Sequence, residues 1–155
     1  MRRIRLICLG RTKERFLQQG LDTYIKRLTR YCKFEWVELK ESNAATPSLV
    51  MAAEAEKVRE KLDPSAFWIV LDEKGKQLSS EDLAGQFEML ALKGQSKIDF
   101  VIGGAWGIDP ELKKDAHFLL SLSKMTFTHQ MIRLFLVEQI YRAETILKGE
   151  KYHNP

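Results

Sequence analysis

Phe67-Trp68-Ile69-Val70-Leu71 decides the fold. Five consecutive apolar residues, following Asp63-Pro64 and preceding Asp72-Glu73-Lys74, predict a strand buried on both faces rather than an alternating surface strand. Ile98 to Ile102 reads as another buried strand and runs into Gly103-Gly104. Two such strands with a helical segment between them imply a parallel sheet covered by helices.

Working outward, Arg3 to Leu9 reads as a first strand closed by Gly10, and Phe34 to Leu39 as a second. Between them a helix is predicted from about Glu14 to Tyr31, with Leu17, Leu21, Tyr24, Ile25 and Leu28 as its buried stripe. Thr46-Pro47 supplies a cap and a first-turn proline for a helix to about Leu62. Ser79-Ser80-Glu81-Asp82 opens another, ending near Gly94, and Asp109-Pro110-Glu111 a short one. Leu119 to Leu122 is a last short strand, and His129 to Lys148 a long helix closed by Gly149. The expectation is a single-domain α/β fold spanning residues 1–155, with a mostly parallel sheet and helices on both faces. Ligands in such sheets bind beyond the strands' carboxyl ends. The segments after Leu71, Ile102 and Leu122 are therefore the ones that matter.

A length of 155 residues fits one domain that buries its core without disulfides or metals. Cys8 and Cys32 both lie in apolar stretches, as buried thiols of a reducing compartment do. No apolar run reaches the roughly 18 residues of a membrane helix, and the basic N-terminus is too short in its apolar part for a signal peptide. A soluble cytoplasmic protein, with no membrane partner, is expected.

The net charge of +4 is unevenly placed. Residues 1–33 hold ten basic and two acidic groups, a balance of +8 against −4 for the remainder. Helical spacing puts Arg15, Lys26, Arg30 and Lys33 on one face, either a solvated surface or a platform for a polyanion such as RNA.

Gly103-Gly104-Ala105-Trp106-Gly107 is either a strand-to-helix turn or a backbone cradle for a ligand. Its spacing is not that of the dinucleotide fingerprint, and GxxxxGK[ST] is absent. Ser121 to His129 is too polar for a strand, yet Leu122, Met125 and Phe127 are apolar. Such a loop offers backbone hydrogen bonds beside an apolar slot, which suits an adenine, or simply precedes a helix. Glu138 and Arg142, four apart, form a surface ion pair or a charged site. Tyr152 and His153 belong to a frayed end or to a tail able to stack on a base and move a proton. Three histidines and two cysteines show no ligand-type spacing, so no metal is expected.

Taken in order, these segments carry a resemblance. They are Ile4–Gly10, Val70-Leu71-Asp72 with Gly75-Lys76, Phe100 to Gly104 with Gly107, and Leu120 to Phe127 with His129. Val137 to Ala143 and Gly149-Glu150 with Tyr152-His153 complete the set. The sequence resembles the ribosomal RNA large subunit methyltransferase H family of the SPOUT superfamily over its whole length. That resemblance implies a C-terminal trefoil knot, a homodimer, and S-adenosylmethionine-dependent methylation of N3 of a pseudouridine in 23S rRNA. It implies cofactor binding by Leu71, Gly103, Gly104, Leu122, Ser123, Lys124, Met125, Thr126 and Phe127. It also implies a catalytic group of Glu138, Arg142, Tyr152 and His153, with either His153 or Glu138 taking the N3 proton. Another RNA substrate such as tRNA, or a non-catalytic RNA-binding module, are the alternatives. Thr128 stands where the family commonly has proline.

Overall fold

Alternation along the first strand divides the core in two. In β1 (Arg3–Leu9) the residues Ile4, Leu6 and Cys8 face one side of the sheet, and Ile7 and Leu9 the other; all are essentially inaccessible. The computed structural model describes residues 1–155, and β1 is followed by α1 (Arg15–Leu28), β2 (Lys33–Leu39), α2 (Pro47–Lys61) and β3 (Phe67–Gln77). Then come α3 (Ser80–Leu92), β4 (Lys97–Ile102), α4 (Pro110–Asp115), β5 (Phe118–Ser121) and α5 (Met131–Leu147).

The sheet order is β2-β1-β4-β3-β5, and every ladder is parallel. The larger core lies between the sheet and α1, α3 and α5, through Leu21, Leu28, Phe87, Leu136 and Ile140. The smaller one holds Ala55 and Val58 of α2 and Leu112 of α4 against the opposite face. Helices therefore cover both faces, and each large buried apolar side chain contributes about 2 kcal/mol.

Local chemistry sets the helix starts. The Thr46 hydroxyl accepts from Leu49 N–H at 3.2 Å, with Pro47 in the first turn. Ser79 and Asp82 form a reciprocal capping box, at 3.0 and 3.3 Å. Asp109, by contrast, makes no capping bond to α4. The long helix begins at Met131, not His129: Gln130 before it makes no capping bond, and the Thr128 hydroxyl accepts from Met131 N–H at 3.0 Å across the turn that leads in. The residue that departs from the family's proline thus has a structural task.

Two expectations change. First, β3 does not stop at Leu71 but continues to Gln77, with a register break between Leu71 and Lys76 where it pairs with β5. Gly75 makes this possible, since a Cβ there would lie 2.7 Å from the Leu119 carbonyl. Second, Lys33 is not on the helix face. The helix ends at Leu28, and Lys33 opens β2 with its ammonium 3.9 Å from Glu35.

The N-terminal charge is also partly internal. Asp99, fully buried in β4, accepts from Arg5 at 2.7 and 2.9 Å, from Arg3 at 3.2 Å and from Asp63 N–H at 3.1 Å. Arg2 pairs with buried Glu144 at 2.6 Å. Three of the ten cations therefore hold the sheet to its surroundings, while Arg15, Lys26 and Arg30 remain exposed. Burial pushes the thiols of Cys8 and Cys32 up to about 12, so both stay protonated at neutral pH. No helix is long and apolar enough to cross a membrane.

Candidate active site

A cavity of about 840 Å³ opens at the register break of β3 and beyond the ends of β4 and β5. Its lining includes Leu71, Gly103, Gly104, Leu122, Ser123, Met125, Thr126 and Phe127. Lys124 is the exception. It sits at the apex of a turn closed by Met125 N–H donating to Ser123 Oγ at 2.9 Å, and its side chain is exposed.

Close approach dictates Gly103, where a Cβ would lie 2.8 Å from the Gly107 carbonyl carbon; at Gly104 the nearest atom, Glu54 Oε1 at 2.9 Å, is the end of a flexible side chain. Gly107 itself adopts φ +89°, closing a turn in which its N–H donates to Gly104 O at 3.0 Å. The turn therefore requires glycine for its own packing, and it also leaves bare backbone on the cavity wall.

Facing it, residues 122–127 belong to no helix or strand, and none of their backbone groups pairs with another backbone group. The Ser121 hydroxyl donates to Ser123 O at 2.8 Å, and Thr126 Oγ1 donates to Glu73 Oε2 at 2.5 Å, tying the segment to the extension of β3. Phe127 packs against Phe135 in a tilted pair, with centroids 5.0 Å apart. Leu71, Ile102, Leu120, Leu122 and Ile132 add apolar wall. Open backbone polar groups beside apolar walls suit a flat heterocycle with hydrogen-bonding edges. At the rim stand Trp106, 60% exposed, and His129, whose imidazole is pushed down by burial and by the charge of Arg133.

Arg133 went unnoticed in the sequence because it interrupts an apolar stripe. It is completely buried, and its guanidinium donates to Leu9 O at 2.7 Å, Gly10 O at 2.9 Å and Thr12 Oγ1 at 3.0 Å. It thereby fastens the start of α5 to the end of β1.

The four polar residues near the C-terminus form a second constellation. Arg142 donates to Glu138 Oε1 from Nε and Nη2, at 2.9 and 2.5 Å, and its Nη1 lies 3.1 Å from His153 Nδ1. Tyr152 donates to Glu138 Oε1 at 3.2 Å, and Tyr24 from α1 lies 3.2 Å from the Tyr152 oxygen. Burial and the bond to Tyr24 push the Tyr152 phenol up, so it acts as a donor and not as a base. His153 Nε2 meets Glu81 of α3. Tyr24 and Glu81 were invisible to sequence reasoning because they lie 128 and 72 residues from their partners.

None of Glu138, Arg142, Tyr152 and His153 lines the cavity of the same chain. Near this cluster, Arg27 covers the Tyr24 and Tyr141 rings at 5.1 and 5.7 Å, and Arg30, just past α1, lies over Tyr31.

Comparison with known proteins fits this geometry. The family described as "Predicted SPOUT methyltransferase" matches residues 2–153. The chain belongs to the SPOUT methyltransferases. A protein of Desulforamulus reducens named Ribosomal RNA large subunit methyltransferase H is 46% identical, over 99% of each chain. One of the same name from Acetivibrio thermocellus is 45% identical, over 97% of this chain and 99% of the relative. Among solved structures, the tRNA (m1G37) methyltransferase of Aquifex aeolicus shares the fold, with a TM-score of 0.57 over 98% of this chain and 75% of that one, at 15% identity. A probable methylase family protein of Haemophilus influenzae gives 0.51 at 12% identity, over 99% and 70%. As a SPOUT methyltransferase the chain transfers a methyl group.

Proposed function

We propose that this SPOUT methyltransferase uses S-adenosylmethionine to methylate N3 of a pseudouridine in 23S rRNA of the large ribosomal subunit. The observation that carries the reading is near full-length similarity, at 46% identity, to a protein named for large-subunit rRNA methylation. The strand-end cavity supports it, because Gly103, Gly104 and residues 122–127 present backbone and apolar wall of the kind an adenosyl group needs. Leu71, Gly103, Gly104, Leu122, Ser123, Met125, Thr126 and Phe127 would hold the cofactor; Lys124 is left out.

The cofactor supplies an electrophilic methyl group on a sulfonium, so the protein's part is placement, charge and one proton. N3 of a uracil-type ring must lose its proton during transfer. We assign it to His153, whose Nδ1 has one bond to give up, from Arg142, whereas Glu138 Oε1 is held by three, two from Arg142 and one from Tyr152. Arg142 stabilises negative charge developing on the base, and Tyr152 stacks on it or donates a hydrogen bond.

Because these four residues lie away from the cavity of their own chain, the reading includes a homodimer in which one tail completes the other's cavity. Exposed Phe16, Phe127, Met131 and Phe135 supply apolar surface for such a contact. The trefoil knot belongs to the same reading, supported by the tight crossing of Gly75 against Leu119 and the tie from Thr126 to Glu73. Arg15, Lys26 and Arg30 are the rRNA platform; Lys33 is excluded from their face. The work is done in the cytoplasm, where ribosomal RNA is found.

Methyl transfer to isolated subunits, ribosomes, free rRNA and tRNA, with mapping of the product, tests the reading. Incorporation only into tRNA would transfer the assignment to that substrate. Absence of saturable S-adenosylmethionine binding would leave a non-catalytic RNA-binding module.

A further inference from the structure

Both ring nitrogens of His153 are occupied, by groups of opposite kind. A guanidinium only donates, so Arg142 Nη1, 3.1 Å from Nδ1, makes Nδ1 the acceptor of the ring. The ring proton then sits on Nε2, which donates to the carboxylate of Glu81. The imidazole is 16% exposed and the Glu81 side chain 53%. The charged and titratable groups around the ring are Glu81 from α3, Arg142 and, behind it, Glu138 from α5, and Tyr152 in the tail. The bond to His153 holds the Glu81 carboxyl below the usual carboxylate range, so it stays ionised.

We propose that Glu81 is a positioning residue for methyl transfer. It fixes His153 in the Nε2–H form and directs Nδ1 at the Glu138–Arg142–Tyr152 cluster. It also balances the positive charge the ring gains on taking a proton. The logic is that of a carboxylate–histidine pair in which the carboxylate sets the tautomer and the other nitrogen does the work. The inference rests on the proposed role of His153.

The step balances simply. The N–H bond at N3 breaks, its proton passes to Nδ1, and the electron pair left on N3 forms the bond to the methyl group of the sulfonium donor. The carbon–sulfur pair stays on sulfur, and the imidazolium later returns its proton to water. Arg142 marks the direction of approach, because its Nη1 holds the position a proton-bearing nitrogen takes during the reaction.

The test combines single-turnover rates with 15N NMR of the three histidines, whose ring shifts report the tautomer, His153 being assigned by its loss in His153→Ala. In Glu81→Gln the His153 ring loses its single Nε2–H form and the rate falls roughly ten-fold. Glu81→Asp recovers part of both effects. If Glu81→Gln keeps the wild-type tautomer and rate while His153→Ala is slow, Glu81 has no such role and the base assignment stands. If His153→Ala itself retains the full rate, the base assignment falls, and the tautomer in Glu81→Gln still shows whether Glu81 governs the ring.

Discussion

The guanidinium of Arg142 closes on the carboxylate of Glu138 through two nitrogens, Nε at 2.9 Å and Nη2 at 2.5 Å. It also lies 4.7 Å from the Tyr152 ring centre, so one side chain organises the whole cluster. A pair on a helix surface at this spacing contributes under about 1 kcal/mol to stability. Arg142→Ala and Glu138→Ala should therefore melt within a few degrees of wild type yet lose about 100-fold in single-turnover rate. The double variant should be scarcely slower than either single one, because the groups act as a unit. Additive rate losses would show that they act independently.

Arg133→Met should be among the most destabilising substitutions. It removes donors from two buried backbone carbonyls and the Thr12 hydroxyl, a loss of about 3 kcal/mol. Urea unfolding monitored by tryptophan fluorescence measures it directly. A midpoint unchanged from wild type would mean that the end of β1 does not depend on this guanidinium.

Gly75→Ala and Gly85→Ala should move stability in opposite directions. At Gly75 the added methyl meets the Leu119 backbone at 2.7 Å, costing about 1–3 kcal/mol and disturbing the cavity wall. At Gly85, inside α3, it meets nothing within 4 Å and should stabilise by about 0.5–1 kcal/mol. Paired thermal melts, with S-adenosylmethionine titration of the Gly75 variant, distinguish a threaded contact from a loose loop.

Much of this was readable in the sequence, and the parts that were not share a cause. Strands 67–71 and 98–102 announce themselves because burial on both faces makes them almost wholly apolar, with Asp99 the one polar residue. The extension of β3 through Asp72-Glu73-Lys74-Gly75-Lys76 does not, since its side chains are those of a loop and only pairing with β5 makes it a strand. Helical periodicity placed Lys33 beside Arg30, but the helix had already ended. The +8 charge overstated the RNA-facing surface because Arg2, Arg3 and Arg5 find Glu144, Asp63 and Asp99 at distances in sequence no local pattern encodes. Glu138 and Arg142 were visible as a helical pair, whereas Tyr24 and Glu81 join them only through tertiary packing.

Alkaline titration should report how the tail is docked. The Tyr31 hydroxyl donates to Glu150 Oε2 at 2.6 Å, and that bond pushes its phenol up to about 12. A phenol raised above its unfolded value near 10 adds stability fully present below pH 10, and lost as pH rises through 12. Absorbance of ionised tyrosine should show a late group near pH 12, besides Tyr152, whose phenol is also pushed up, and only the Tyr31 group should move toward 10 in Glu150→Gln. Identical curves for both proteins would place Glu150 away from Tyr31 in solution.

The most direct test of the central claim uses large subunits or ribosomes whose 23S rRNA lacks the modification, incubated with methyl-labelled S-adenosylmethionine and the pure protein. One methyl group per particle is expected, mapped to N3 of a single pseudouridine, with the rate falling at least ~100-fold in His153→Ala. Saturable cofactor binding with no label in 23S rRNA under any assembly state, or label at a position other than a pseudouridine N3, would contradict it.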